Sequence, residues 1–429
     1  HVYHYNNSPS EIQVNCPDNP KLDNGLISGD ETLTAAGDTV IDNTYNYSIK
    51  NYTFFKGVKI FTNYIGPEAC DLMTAPDQDP ANWAYWPIGH RYNIMFYPLR
   101  SIWYLRQQKT TRQHAGAQTL ATTETYDYNA LGQPSFTTNY TSKGKKQTSH
   151  IIYPVDSASL PGSIVQKLKD KGLFEYPLTK IETINDTEVA RTNINYMDIG
   201  QLVRSNIQQS HLRHPLYTKT TFDSYGSNKT LLQFTDLGTT TSLLWSDNNR
   251  RVIANVLNGY QTDIAYTSFE TDGTGQWTVP SPLRDTVHSI TGRRSYQLSN
   301  GAITDTMGLS ASQCYIVSYW TQNQAPITIT GTMAGYPTEG KTINGWTLYV
   351  HKVTGQTVIS VSGSGLIDEL RLYPAKAQMT SYTFEPLVGM ASTCDVGNRI
   401  TYYEYDGLQR LKRVRDQDYN IIKSIDYQY

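Results

Sequence analysis

The chain has 429 residues, a formal net charge of -2, 17% charged residues and a mean hydropathy of -0.50. So even a balance offers no basic face to neutralise phosphates, which argues against a nucleic-acid partner. No run of about 18 apolar residues is present to cross a membrane as a helix. The length exceeds what a single core usually serves, so several domains or a repeat array are expected. The opening HVYHYNNSPS has neither an initiator methionine nor a signal peptide, and reads as a mature or excised piece of a larger protein.

Tyrosine outnumbers phenylalanine, 33 to 10. Tyr and Thr suit a half-wet sheet, where the ring packs across strands and the hydroxyl meets water. The four cysteines, Cys16, Cys70, Cys314 and Cys394, lack C-x-x-C spacing. They read as free buried thiols, or as at most one long-range pair such as Cys16 with Cys70.

In chain order, the region from about Tyr52 to Gln113 reads as irregular. Its stretch GPEACDLMTAPDQDPANWAYWPIGH is rich in Pro, Asp and Trp and reads as a long loop near 65–90. Trp83, Tyr85 and Trp86 either face a ligand or pin that loop to a sheet. RYNIMFYPLRSIWYLRQQ resumes as strand. PGSIVQKLKDKG is the one convincing helix: Ile164, Val165 and Leu168 form an apolar stripe, lysines load the last turn, and Gly172 follows. Elsewhere apolar residues alternate at period 2 between turn signals, as in TETYDYNALGQPSFTTNY and RITYYEYDGLQRLKRV. Sequential short strands joined by tight turns make a meander, and the fold class is all-β.

Similar units recur at Tyr126-Asp127, Tyr196 to Gly200, Phe222 to Gly226 and Tyr405-Asp406, each a strand, an Asp-containing turn and a strand. Asp accepts hydrogen bonds from turn amides, and Gly supplies positive φ. At Tyr403-Glu404-Tyr405-Asp406-Gly407-Leu408-Gln409-Arg410-Leu411 the sequence resembles the Rhs/YD-repeat family, with Y-x-Y-D-x-x-G-R-L as its pattern. Gln409 stands where that family has Gly. Tyr419 stands in the usual D-G-N turn, so Asn420 is expected to take the left-handed position. The resemblance covers roughly residues 20–262 and 376–429. It implies a hairpin array forming a curled sheet or shell, in a secreted protein of a Gram-negative bacterium.

From about Ala265 the pattern changes to YTSFETDGTGQWTV, CYIVSYWTQ, GWTLYVHKVTG and SGSGLIDELRLYP, which is similar to jelly-roll carbohydrate-binding modules. The resemblance implies a β-sandwich inserted into the array. The organisation expected is therefore 1–262 repeats, 263–375 jelly roll and 376–429 C-terminal repeats. Such modules hold a structural calcium ion. The matching residues are Glu270 and Asp368, helped by main-chain carbonyls near Arg294; an acidic pair without metal fits them equally. Tyr336 and Trp277 are the candidate carbohydrate contacts. Trp277, like Trp320 and Trp346, also occupies a strand position that packs the core.

There is no G-x-S-x-G, no H-E-x-x-H and no phosphate loop, and the nine histidines are scattered, so no catalytic residues are assigned. The expected function is a structural or adhesive protein of the cell surface. Its partners would be a surface glycan, outer-membrane secretion machinery or other surface proteins. The alternative is the container shell of an Rhs-type polymorphic toxin, with the toxin domain outside this chain. A glycan-active enzyme is the third possibility.

Overall fold

The computed structural model describes residues 1–7, 25–64, 90–116, 118–141, 143–212, 214–270, 273–305 and 307–427. The loop near 65–90 with Trp83, Tyr85 and Trp86, and the Cys16–Cys70 pair, lie outside the described residues. The fold is almost entirely β, with one α-helix among the described residues, Ile164–Asp170. Ser163 caps that helix by accepting from the Gln166 amide, and Leu168 is fully buried. Gly172 comes just after it with φ 69°, the left-handed stop that Gly provides cheaply.

The chain forms two compact units. The first holds His1–Thr192 and Ser210–Pro215. Its strands Val2–Tyr5, Ile27–Leu33, Thr39–Tyr64, His90–Ala115, Gln118–Tyr128, Pro134–Tyr140, Lys146–Ile152 and Thr179–Ile184 each pair antiparallel with the next. The irregularity expected from Tyr52 is corrected here. Thr39–Tyr64 and His90–Ala115 are 26-residue strands, paired from Ile41↔Gln113 to Tyr64↔His90. The ladder between the two strands pairs backbone groups along nearly their whole length, whatever the composition of the intervening loop.

The second unit, Asn193–Gln209 with Leu216–Tyr429, carries another meander. Strands His214–Tyr225, Leu231–Asp236, Thr239–Trp245 and Val252–Leu257 pair in turn. Val252–Leu257 then skips every described strand from Ala265–Thr267 to Leu366–Pro374 and pairs with Gln378–Glu385, in the register Ala254↔Ser381 to Leu257↔Gln378. From there Gly389–Cys394, Ile400–Tyr405, Leu411–Arg415 and Ile421–Ser424 continue the meander.

Between these neighbours the chain builds two further sheets. One has the order Ala265–Thr267, Leu366–Pro374, Tyr315–Thr321, Trp346–Val353, Thr338–Ile343, with Tyr296–Gln297 also on Leu366–Pro374. The other has the order Trp277–Thr278, Ile303–Asp305, Ser360–Ser362, Thr328–Ile329. Val317, Tyr319, Leu370 and Leu372 of the first sheet and Trp277, Ile303, Ile329 and Val361 of the second share one core.

The first sheet is covered on its other face too. Tyr266, Tyr373 and Ile316 pack with Leu244, Ile253, Val256 and Met379 of the meander. Trp320, Trp346 and Ile343 pack with Cys394 and Ile400. Its strand Leu366–Pro374 is consequently buried along nearly its whole length. A sheet covered on both faces loses the inside–outside alternation of a half-wet strand.

Eight described hairpin connections, in both units, use one turn. Their first residues are Thr34, Asn129, Thr141, Gly226, Ser246, Asp395, Asp406 and Asp416, and in each the amide three positions on donates to the first residue's carbonyl. The residue three positions on is left-handed: Gly37, Gly132 and Gly144, but also Lys229, Asn249, Asn398, Gln409 and Tyr419, at φ 53° to 63° for the non-glycines. Tyr419, not the expected Asn420, therefore takes positive φ. Asn420 instead donates through Nδ2 to Asp416 Oδ2 at 3.1 Å, and Tyr419 stacks on Tyr402 at 4.7 Å. Asp406 Oδ1 accepts from the amides of Leu408 and Arg410, both at 2.9 Å, while its Oδ2 takes the Arg410 guanidinium. That explains the recurring Asp and Arg: one side chain closes the turn and the other neutralises it.

Candidate functional site

The densest chemistry in the second unit lies where strand Leu366–Pro374 faces the meander. Register against Tyr315–Thr321 shifts between Ser318↔Arg371 and Trp320↔Asp368, and Glu369 has φ 52°. This is a β-bulge, which inserts one residue and re-aims its neighbours. Ile367, Leu370 and Leu372 all reach the core between the two sheets, although period 2 alone would put Ile367 and Leu370 on opposite faces. The extra residue leaves Asp368, Glu369 and Arg371 buried, at 0%, 2% and 1% exposure.

Each of these charges is met by hydrogen bonds, as burial requires. Arg371 donates to the carbonyls of Asp395 and Cys394 at 3.0 and 2.8 Å, to Asn398 Oδ1 at 3.1 Å and to Ser381 Oγ at 2.6 Å. All four acceptors belong to the meander. Glu369 accepts from Tyr266, Thr291 and Ser381 hydroxyls at 2.7, 2.8 and 2.9 Å, and lies 3.6 Å from Arg371 Nε. Burial, reinforced by Glu369, pushes the Asp368 carboxyl well above the usual range. Burial likewise pushes up the Cys394 thiol, which is free, as is Cys314. With its side chains at most 2% exposed, the Asp368–Glu369–Arg371 group fastens two bodies rather than offering a face to a substrate.

The two residues matched to a calcium site, Glu270 and Asp368, meet the same segment, Ile290 to Arg294. Asp368 Oδ2 accepts from the amides of Ile290 and Thr291 at 2.9 and 3.0 Å, and Oδ1 from the Glu369 amide at 2.7 Å. Glu270 Oε1 accepts from the amides of Arg293 and Arg294 at 2.6 and 2.7 Å. Main-chain N–H donors, not carbonyls, thus point at these oxygens. Gly292 between them has φ 57°, and a Cβ there would collide with the Glu270 carboxylate. No group of three or more His, Cys, Asp or Glu side chains is arranged to hold a metal among the described residues.

Of the two candidate carbohydrate contacts, Trp277 is 2% exposed and lies in the core, with no ring face open to a sugar. Trp320 and Trp346 are buried against the meander. Tyr336 is half-buried in a loop turn closed by its own amide on the Met333 carbonyl. The structure does not bring Tyr336 and Trp277 together into a groove.

Concavities occur in both units among the described residues. In the first unit a polar one of about 220 Å³ is lined by Glu124, Thr137, Asn139, Ser149 and Glu182, with Tyr126 donating to Glu124. In the second unit Leu243, Val252, Tyr382, Phe384 and Met390 line an apolar hollow of the meander. Sequence reading missed the buried Asp368–Glu369–Arg371 group; the signal was LIDELRLYP, three charges inside a β-pattern with no turn residue to place them outside.

No protein-family model matches the sequence, and no curated protein matches it. Solved structures of TcdB2-TccC3-TEV and TcdB2-TccC3 are similar over 88% of this chain and 24% of theirs, at 10% and 9% identity and a TM-score of 0.27. A TcdB2-TccC3-Cdc42 structure is similar over 94% of this chain and 17% of its own, at 10% identity and a TM-score of 0.22. The chain spans about a quarter or less of the length of these proteins. TM-scores this low carry no argument about what the chain does.

Proposed function

We propose that the chain is a non-enzymatic structural wall, a section of an Rhs-type shell, with the inserted two-sheet body built into it as a buttress. One observation carries the reading: the same turn closes hairpin after hairpin, and the meander resumes in register across the insertion, at Leu257↔Gln378. A repeated hairpin that tolerates a large insertion between paired neighbours is an extendable wall. The inserted body is fastened along a whole sheet face, which suits reinforcement better than flexible display. Placement outside a bacterial cell rests on the sequence resemblance.

The adhesive reading rests on Tyr336 and its loop. Electron microscopy of the protein in its full-length natural product separates the two. The wall reading expects the meander to form part of a closed surface around an interior. An open array with the inserted body projecting from it, together with binding of the protein on a glycan array, would replace the wall by an adhesin. Turnover in a polysaccharide hydrolysis screen would overturn the non-enzymatic reading.

A further inference from the structure

The inserted body contains a further buried carboxyl, outside the Asp368–Glu369–Arg371 group. Asp305, on strand Ile303–Asp305, is 0% exposed. Its Oδ1 accepts from the Met307 amide at 3.0 Å, and its Oδ2 is buried without a hydrogen-bond partner among the described residues. Directly across the strand pair stands Trp277, whose indole N–H is also buried and without a partner among the described residues. The titratable groups facing Asp305 are Asp263, from the turn Gln261–Asp263, and Tyr315, from Tyr315–Thr321; Tyr315 donates to Asp263 at 3.3 Å. Strand Ser360–Ser362 pairs beside Asp305 without a titratable residue of its own, and the neighbouring Ile359 carbonyl takes the Asp305 amide. No ion pair reaches Asp305 among the described residues. A carboxylate here would face a second carboxylate, with nothing positive to offset its desolvation.

We propose that Asp305 is a proton-binding site built into the core of the inserted body, and that the two sheets hold together more tightly with the proton bound than without it.

Desolvation moves the group in the same direction, from its ordinary 3.8 to about 6, helped by Asp263. The sign of the effect is set by linkage. A carboxyl whose folded pKa is raised contributes stability at pH below its unfolded value. That contribution is lost as pH rises from about 4 to about 6, and amounts to about a hundredfold in the folding equilibrium constant. His351 works against it. Also buried, it accepts or donates at Tyr319 and Thr332, and burial lowers its pKa to about 4. It favours folding at neutral pH and loses that contribution as pH falls from 6.5 to 4. Asp368, raised in the same sense as Asp305, adds to it. The whole-protein pH profile therefore mixes opposed contributions, and the test must isolate Asp305.

Two measurements on the full chain do so. The first compares the folding equilibrium constants of wild type and Asp305→Asn, whose neutral amide mimics the protonated acid. The variant should equal wild type near pH 4 and exceed it by about a hundredfold above pH 7. A gap that does not change with pH overturns the proposal. The second titrates tryptophan emission of native wild type, where the carboxyl opposite Trp277 quenches in proportion to its protonation. A midpoint near pH 6, kept in both His351→Gln and Asp368→Asn, supports the proposal even if Asp305→Asn does not fold. A midpoint near 4, or one lost with His351 or Asp368, overturns it.

Discussion

Replacing Arg371 by Met tests whether the inserted body is fastened to the meander as described. Methionine keeps much of the stem volume, so the change removes the guanidinium without opening a large cavity. Four hydrogen bonds to the meander disappear, at 2.6 to 3.1 Å. Two of the abandoned acceptors are main-chain carbonyls, of Asp395 and Cys394, which cannot rotate away. Each buried acceptor left unmet costs about 1 kcal/mol or more. Glu369, 2% exposed, also loses the only cation within ion-pair distance among the described residues. Breaking one side of a buried pair destabilises by about 3–5 kcal/mol, against a total stability of about 5–15 kcal/mol for a typical domain. Urea unfolding, monitored by tryptophan emission and far-ultraviolet circular dichroism, should show that loss in the second unit. Adding Glu369→Gln to Arg371→Met should recover part of it, because the orphaned charge is then gone. A loss below about 1 kcal/mol in the single variant would refute the fastening argument, since surface charges behave that way.

The same geometry carries further expected outcomes. Gln409→Gly should stabilise by about 0.5–1 kcal/mol in chemical denaturation, because Gln409 is exposed and held at φ 63° where only glycine is unstrained; a loss of stability would mean that its side chain does something else. EDTA should leave the thermal midpoint unchanged, since the carboxylate oxygens of Glu270 and Asp368 are already met by main-chain amides. A fall of several degrees, restored by calcium, would show an ion held there. Gly292→Ala should destabilise by about 1 kcal/mol or more, through positive φ and collision with Glu270; an unchanged urea midpoint would refute the close approach.

The sequence by itself determined the all-β class, the helix Ile164–Asp170 and the places where hairpins turn. These are short-range matters: alternation at period 2, a cap, and an Asp whose oxygens reach amides two and four residues away. The left-handed position was misplaced by one residue at Tyr419, because propensity favours Asn while the turn fixes the conformation by count from Asp416. The pairing of Val252–Leu257 with Gln378–Glu385 is a register between strands far apart in the chain, and the structure supplied it. Only tertiary structure decided that Asp368, Glu369 and Arg371 are buried. A residue type states a desolvation cost, but the partners that meet it came from a bulge, a loop at Ile290 to Arg294 and the meander. The same holds for Trp277. Its strand position made it either platform or core, and the facing sheet of Tyr315–Thr321 and Leu366–Pro374, laid across it by residues distant in sequence, made it core.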